Sequence, residues 1–223
     1  MTFSIVARCA RTGQFGMAIS SSSPAVAARC AHVRAGVGAV ASQNITDPAL
    51  GPLLLDQLEA GHPAAAALAA VADGRPHIDY RQLIVIDREG RTAIHSGRQV
   101  LGLWGEARAT DCAAGGNLLA AELVPMAMVE AFTGATGHLG ERLMRALEAG
   151  LAAGGEAGPV HSAGLKVADR LSWPLVDLRI DWSDDPIGML RAAWDVYAPQ
   201  MAAYVQRAED PTRAPSYGVP GDE

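Results

Sequence analysis

Residues 2–20, TFSIVARCARTGQFGMAIS, decide the fold. Phe3 and Ile5 alternate with Thr2 and Ser4, and a period of two is the signature of a strand with its two faces in different surroundings. Arg11-Thr12-Gly13-Gln14 supplies turn chemistry, and 15–20 reads as a returning strand. An antiparallel hairpin follows, with its first strand starting at Thr2.

Working outward, the small-residue stretch 20–43, SSSSPAVAARCAHVRAGVGAVASQ, ends in a buried strand at 37–42. The period then changes. Asp47-Pro48 suits a helix entry, 52–60 reads as a helix stopped by Gly61, and His62-Pro63 opens an alanine-rich helix ending near Asp73-Gly74. QLIVIDREGRTAIHSG (82–97) reads as two strands joined through Glu89-Gly90, with a weaker strand near 108–114. Helices are predicted over 118–132 and 139–153, the second with Leu139, Leu143, Leu147 and Leu151 as a buried stripe. Strands follow at 162–168 and 176–181. Asp185-Pro186 opens a last helix carrying Ile187, Leu190, Trp194, Tyr197, Met201 and Tyr204 on one face, available to a core or to an interface. The helix pairs are too close in sequence to be crossovers in a parallel sheet. The pattern predicts an α+β protein, a four-layer αββα sandwich of two antiparallel sheets flanked by helix pairs. Residues 1–209 are expected to form a single domain, with 210–223 as a flexible tail holding three prolines.

The chain has 223 residues, 49% of them hydrophobic, and a net charge of −6. One sizeable core fits that length. An acidic balance offers no field for a phosphate backbone, so nucleic acid is not an expected partner. No apolar run reaches the roughly 20 residues that cross a bilayer, and no signal peptide is visible. Those readings point to a soluble, cytoplasmic protein with no membrane partner. Cys9, Cys30 and Cys112 are odd in number and widely spaced, as reduced structural cysteines are. The six histidines show no metal spacing, and no metal or cofactor is expected. Gly36-Val37-Gly38-Ala39-Val40-Ala41 imitates a dinucleotide fingerprint, but β-branched residues alternate through it where a helix should open.

Several stretches together carry a resemblance: TFSIVA (2–7) with the turn TGQFG (12–16), AGVGAVASQ (35–43), YRQL (80–83), GNLLA (116–120), SAGL (162–165) and VDLRID (176–181). They resemble the family catalogued as domain of unknown function 1028. The layering resembles the N-terminal nucleophile (Ntn) hydrolase fold. Such enzymes use the first residue of the mature chain as both nucleophile and base. The resemblance therefore implies a catalytic Thr2, exposed by removal of Met1, whose α-amine takes the hydroxyl proton. Gly116 and Asn117 are the candidate oxyanion donors, with a strand-to-helix turn capped by Asn117 as the alternative. Ser20, Ser21, Gln43 and Asn44 end strands and are candidates to grip a polar substrate or to satisfy turns. Ser162 either orients the amine or is an ordinary strand serine. Where proteasome-type sites carry a lysine, this chain has Arg29, His32 and Arg34, and His32 and Arg34 join the candidate substrate-binding set. The family's arginine-rich segment before Ser162 is replaced by GGEAGPVH (154–161). Two functions follow. One is hydrolysis of an amide or related C–N bond in a small polar metabolite. The other is a non-catalytic binding or structural protein that keeps the fold. A homo-oligomer of twofold symmetry is the expected assembly.

Overall fold

The opening hairpin forms as the alternation requires. In the computed structural model, which describes residues 1–222, β1 (Thr2–Arg8) pairs antiparallel with β2 (Phe15–Ser21), Phe3 opposite Ser20 and Arg8 opposite Phe15. The elements that follow are α1 (Val26–Cys30), β3 (Ala31–Arg34), β4 (Gly38–Gln43), α2 (Leu50–Glu59), α3 (Ala64–Ala72), β5 (Gln82–Asp87) and β6 (Thr92–Ser96). Next come β7 (Gly105–Ala109), β8 (Cys112–Asn117), α4 (Val124–Gly134), α5 (Leu139–Ala152), β9 (Ser162–Ala168), β10 (Val176–Ile180), α6 (Pro186–Tyr197) and α7 (Met201–Glu209). A six-stranded sheet runs β10-β9-β2-β1-β8-β7 and a four-stranded sheet runs β3-β4-β5-β6. Every pairing is antiparallel.

The strand period sorts side chains into three apolar layers. Phe3, Ile5 and Ala7 leave β1 toward α4, α5 and α6, meeting Met128, Phe132, Leu143, Leu147 and Leu190. Val6 leaves from the other face and packs between the sheets with Phe15, Met17, Ile19, Ala39, Ala41, Ile84 and Ile86. Val40, Leu83 and Val85 leave the far face of the small sheet toward Leu50, Leu54, Leu58 and Leu68 of α2 and α3. Each such side chain contributes about 1.5–3 kcal/mol of burial. The result is the α+β sandwich with layers αββα. At Gly38 the strands leave no room for a side chain, since a Cβ there would lie 2.3 Å from the Ile86 carbonyl oxygen.

The structure corrects the expected elements in four places. The alanine-rich stretch 20–43 also holds α1 and β3; AHVR (31–34) has little β-branched character, and pairing with β4 decides its state. The weak strand near 108–114 is two strands, β7 and β8, turned through Asp111 at φ 63°. Helix α4 starts at Val124, not at 118, because Leu118 takes φ 51° and the segment after it bonds elsewhere. The N–H groups of Leu118, Leu119 and Ala120 donate to the carbonyls of Leu101, Leu103 and Gly155. The last helix breaks at Ala198–Gln200, where Pro199 removes a donor. Of its expected face, Ile187, Leu190 and Trp194 are buried in the core, and Tyr204 stacks on Tyr197 with ring centroids 5.7 Å apart. In α5, Leu139, Leu143 and Leu147 are buried and Leu151 is exposed at the helix end. No described helix is long and apolar enough to cross a membrane.

Candidate active site

The same alternation that fills the space between the sheets places polar groups at one end of it. Thr2 and Ser4 share the face of Val6, Ser21 that of Ile19, Gln43 that of Ala41, and Gln82 that of Ile84. Asn117 of β8 stands opposite Thr2 in the ladder. Apolar filling thus gives way to hydroxyls and amides where β1 starts. All six are buried, Thr2 at 6% exposure being the most accessible.

A buried polar group must be hydrogen-bonded, and this cluster satisfies that requirement internally. Ser4 Oγ donates to Gln43 Oε1 at 2.7 Å. Gln43 Nε2 donates to Gln82 Oε1 at 2.8 Å and to the Gly115 carbonyl at 3.3 Å. Gln82 Nε2 donates to Ser96 Oγ at 3.0 Å and to the Gly116 carbonyl at 3.3 Å. Asn117 Nδ2 donates to Gln82 Oε1 at 3.2 Å, which uses one of its two N–H groups. Thr2 Oγ1 lies 3.4 Å from Ser21 Oγ, and both hydroxyls donate to the Met1 carbonyl oxygen. Ser21 Oγ is in turn 2.8 Å from Ser23 Oγ. An acyl carbonyl is therefore held by the Thr2 hydroxyl itself and by that of Ser21. While Met1 is attached, the Thr2 nitrogen is an amide and cannot act as a base.

A cavity of about 300 Å³ opens against this cluster, lined by Thr2, Asn117, Met1, Ser23, Arg29, the loop 44–46 and Leu101. Asn44 and Ile45 both adopt left-handed backbone, at φ 57° and 46°. That conformation costs about 1–2 kcal/mol for a residue with a side chain, and for a β-branched one it is an outlier. Asn44 holds the loop in place, donating to the Tyr80 carbonyl at 2.6 Å and accepting from Leu101 N–H at 3.1 Å. Cys30 Sγ, 3.3 Å from Thr46 Oγ1, ties the loop to α1. Ala25 and Leu118, at φ 51° each, are strained in the same neighbourhood. Strain of this kind concentrates at functional sites because the surroundings must hold it.

The expected residues separate into two groups. Thr2, Asn117 and Asn44 line the cavity, with Ser21 behind Thr2 and Gln43 deeper in the hydrogen-bond network. Ser162, on β9 opposite Ser21, and Ser20, on the other face of β2 from Ser21, serve the backbone. Ser162 Oγ donates to the Ser23 carbonyl at 2.6 Å and accepts from Val26 N–H at 3.2 Å, and Ser20 Oγ donates to the Ser162 carbonyl at 3.0 Å. Gly116 sits in the ladder between Phe3 and Gly105, and a Cβ on it would strike Leu119 Cδ2 at 2.6 Å. Its lack of a side chain answers packing under Leu119. His32 packs on α2, where a Cβ at Gly51 would fall 2.1 Å from its ring; burial lowers its pKa. Arg34 pairs with Asp56 at 2.9 Å and Glu59 at 2.6 Å, opposite Gly38 and so at the far end of β4 from Gln43. His32 and Arg34 do not join the cavity.

Two residues of this neighbourhood, Glu156 and Arg29, are outside the candidate set that the sequence offers. Glu156 is 4% exposed, with both carboxylate oxygens 3.1 Å from Ser22 N–H. Burial pushes its pKa up to about 7, against the pull of the Met1 α-amine and the Ser22 N–H. An acid in the Gly-rich run 154–158 carries a surface signature, and only pairing of Glu156 with Leu119 brings it inside. Arg29 belongs to α1, a helix with no periodic signal of its own in the sequence.

The family model described as a family of unknown function, DUF1028, matches residues 2–190. The crystal structure of a DUF1028 protein from Silicibacter pomeroyi superimposes with a TM-score of 0.82 at 30% identity, over 88% of this chain and 89% of that one. Two structures of Anbu, the ancestral β-subunit, align far less closely. One from Yersinia bercovieri gives a TM-score of 0.40 at 12% identity, and a Gly-1 mutant from Hyphomicrobium sp. strain MC1 gives 0.44 at 13%. Each covers 91% of this chain and 97% of its own. No curated protein matches. With most of its length matched by the family model and by a solved relative, the chain belongs to the DUF1028 family.

Proposed function

We propose that this chain is an Ntn-type hydrolase that cleaves an amide or related C–N bond in a small polar metabolite, with Thr2 as nucleophile after Met1 has been removed. The observation that carries the reading is the Thr2 hydroxyl, buried between Ser21 and Asn117 on the wall of a cavity. Removal of Met1 frees the Thr2 α-amine, whose ordinary pKa of about 7.7–8.0 leaves a useful neutral fraction near neutral pH. The amine takes the Oγ1 proton as Oγ1 bonds to the substrate carbonyl carbon. The Ser21 hydroxyl, which now holds the Met1 carbonyl, and the Asn117 N–H not used by Gln82 supply donors for the oxyanion. The ammonium returns its proton to the leaving nitrogen as the C–N bond breaks, giving an ester on Thr2. Water then hydrolyses the ester to a carboxylic acid.

A binding protein without chemistry is the second reading, since a Thr2 nitrogen that stays acylated by Met1 offers no base. The two separate on a Thr2→Ala variant assayed with a panel of acylated and carbamoylated amines. The hydrolase reading expects wild-type turnover and none in the variant; equal rates in both remove Thr2 from the mechanism.

A further inference from the structure

Three half-buried arginines of this protein pair with carboxylates: Arg8 lies 3.0 Å from Asp111, Arg34 lies 2.9 Å from Asp56, and Arg191 lies 2.7 Å from Glu141. Arg29, the arginine on the cavity wall, has no such partner. Among the described residues no carboxylate comes within 4.0 Å of it, and none lines the cavity it shares with Thr2. Glu156 faces Ser22 and is not part of that lining. Arg29 is held in place on one side only. Its Nη1 donates to the Pro24 carbonyl at 2.7 Å and to the Ala25 carbonyl at 3.3 Å, the latter fixed by left-handed backbone at Ala25. Those bonds use both Nη1 hydrogens. The Nε–Nη2 edge, the fork that accepts a carboxylate in two parallel hydrogen bonds, donates to no described residue.

From this we infer that Arg29 is a specificity residue that binds a carboxylate of the substrate, so that the hydrolase proposed above acts on N-acylated or N-carbamoylated amino acids. The inference rests on that proposal for the reaction and on Arg29 for the substrate class. Thr2 and Arg29 line one cavity of about 300 Å³, small among ligand pockets even if the loss of Met1 from its wall widens it, so the anion is expected a few bonds from the carbonyl that Thr2 attacks. An amino acid acylated on its nitrogen meets that limit. Ile45 and Leu101, both exposed and both on the lining, offer apolar surface to its side chain. Tethering the guanidinium in advance lowers the entropy lost when the ligand docks.

The test is binding, kept apart from turnover. The Thr2-initiated chain is titrated with N-acetyl-L-leucine and with the uncharged N-acetyl-L-leucinamide, in wild type, Arg29→Gln, Arg29→Lys and Thr2→Ala, with folding of each checked by thermal melting. The expected result is about tenfold to a hundredfold tighter binding of the acid than of the amide, the range of a charge-assisted pair. Arg29→Gln abolishes that preference, Arg29→Lys keeps part of it, and Thr2→Ala keeps all of it. Equal binding of the two probes, no binding of either, or a preference that survives Arg29→Gln overturns the inference. Turnover of uncharged amides that depends on Thr2 and not on Arg29 would sink the inference alone. An Arg29-dependent anion site with no Thr2-dependent turnover would sink the hydrolase reading alone.

Discussion

Replacing Glu156 with glutamine tests whether the carboxylate on Ser22 N–H is buried at a cost. The carboxylate has one N–H donor, from Ser22, and is almost fully buried. Its pKa is raised from 4.5 to about 7. A group whose acid form is favoured by folding binds more protons folded than unfolded, so stability falls as pH rises between the two values. At 1.36 kcal/mol per unit, that rise converts to about 3 kcal/mol, absent below pH ~4.5 and complete above pH ~7. Glutamine keeps the shape and cannot ionise. Urea unfolding of wild type and Glu156→Gln, both retaining Met1, measured from pH 4.5 to 8, should show the variant gaining about 3 kcal/mol relative to wild type across that window. Parallel profiles would refute the reasoning, because they would mean that the carboxylate is hydrated or paired and its burial imposes no penalty.

Three other outcomes follow from the same geometry. Asn117→Ala removes one oxyanion donor and should lower kcat about 10²–10³-fold in any assay that depends on Thr2; an unchanged kcat excludes the role. Glu141 is opposed by burial, but hydrogen bonds from Arg191, Arg145 and Trp194 outweigh it and hold its pKa at about 2. Its stabilisation is full above pH ~4.5 and is lost as pH falls toward 2, so Glu141→Gln should destabilise the protein by about 1–2 kcal/mol at pH 6, after allowance for partial exposure, and by nothing near pH 2. Gly51→Ala drives a methyl to within 2.1 Å of the His32 ring and should cost about 1–3 kcal/mol by chemical unfolding, whereas Gly134→Ala, with open space around it, should not.

How much of this was legible depended on where the signal was local. TFSIVAR alternates, and the structure honours the alternation atom by atom, Phe3 and Ile5 toward the helices and Ser4 and Val6 toward the other sheet. Thr2, Ser21 and Asn117 were named from the family resemblance, and it is strand pairing that brings them together. AHVR was not legible as a strand, because alanine and arginine carry little strand preference and the partner lies in β4. The polar ends of Gln43 and Asn44 were visible, but not that their amides would be spent on Ser4, Gln82, Tyr80 and Leu101. Glu156 and Arg29 stayed outside the candidate set for a related cause. Each lies in a segment whose conformation is dictated by long-range pairing, Glu156 by Leu119 and α1 by the Ser162 hydroxyl on Val26 N–H.

The central claim is that Thr2 becomes a free N-terminal residue. Intact-mass measurement on the protein purified from its native host tests this most directly. The account predicts a mass that starts at Thr2 with an unblocked α-amine. A stable mass that includes Met1, or an acylated amine on Thr2, would contradict it.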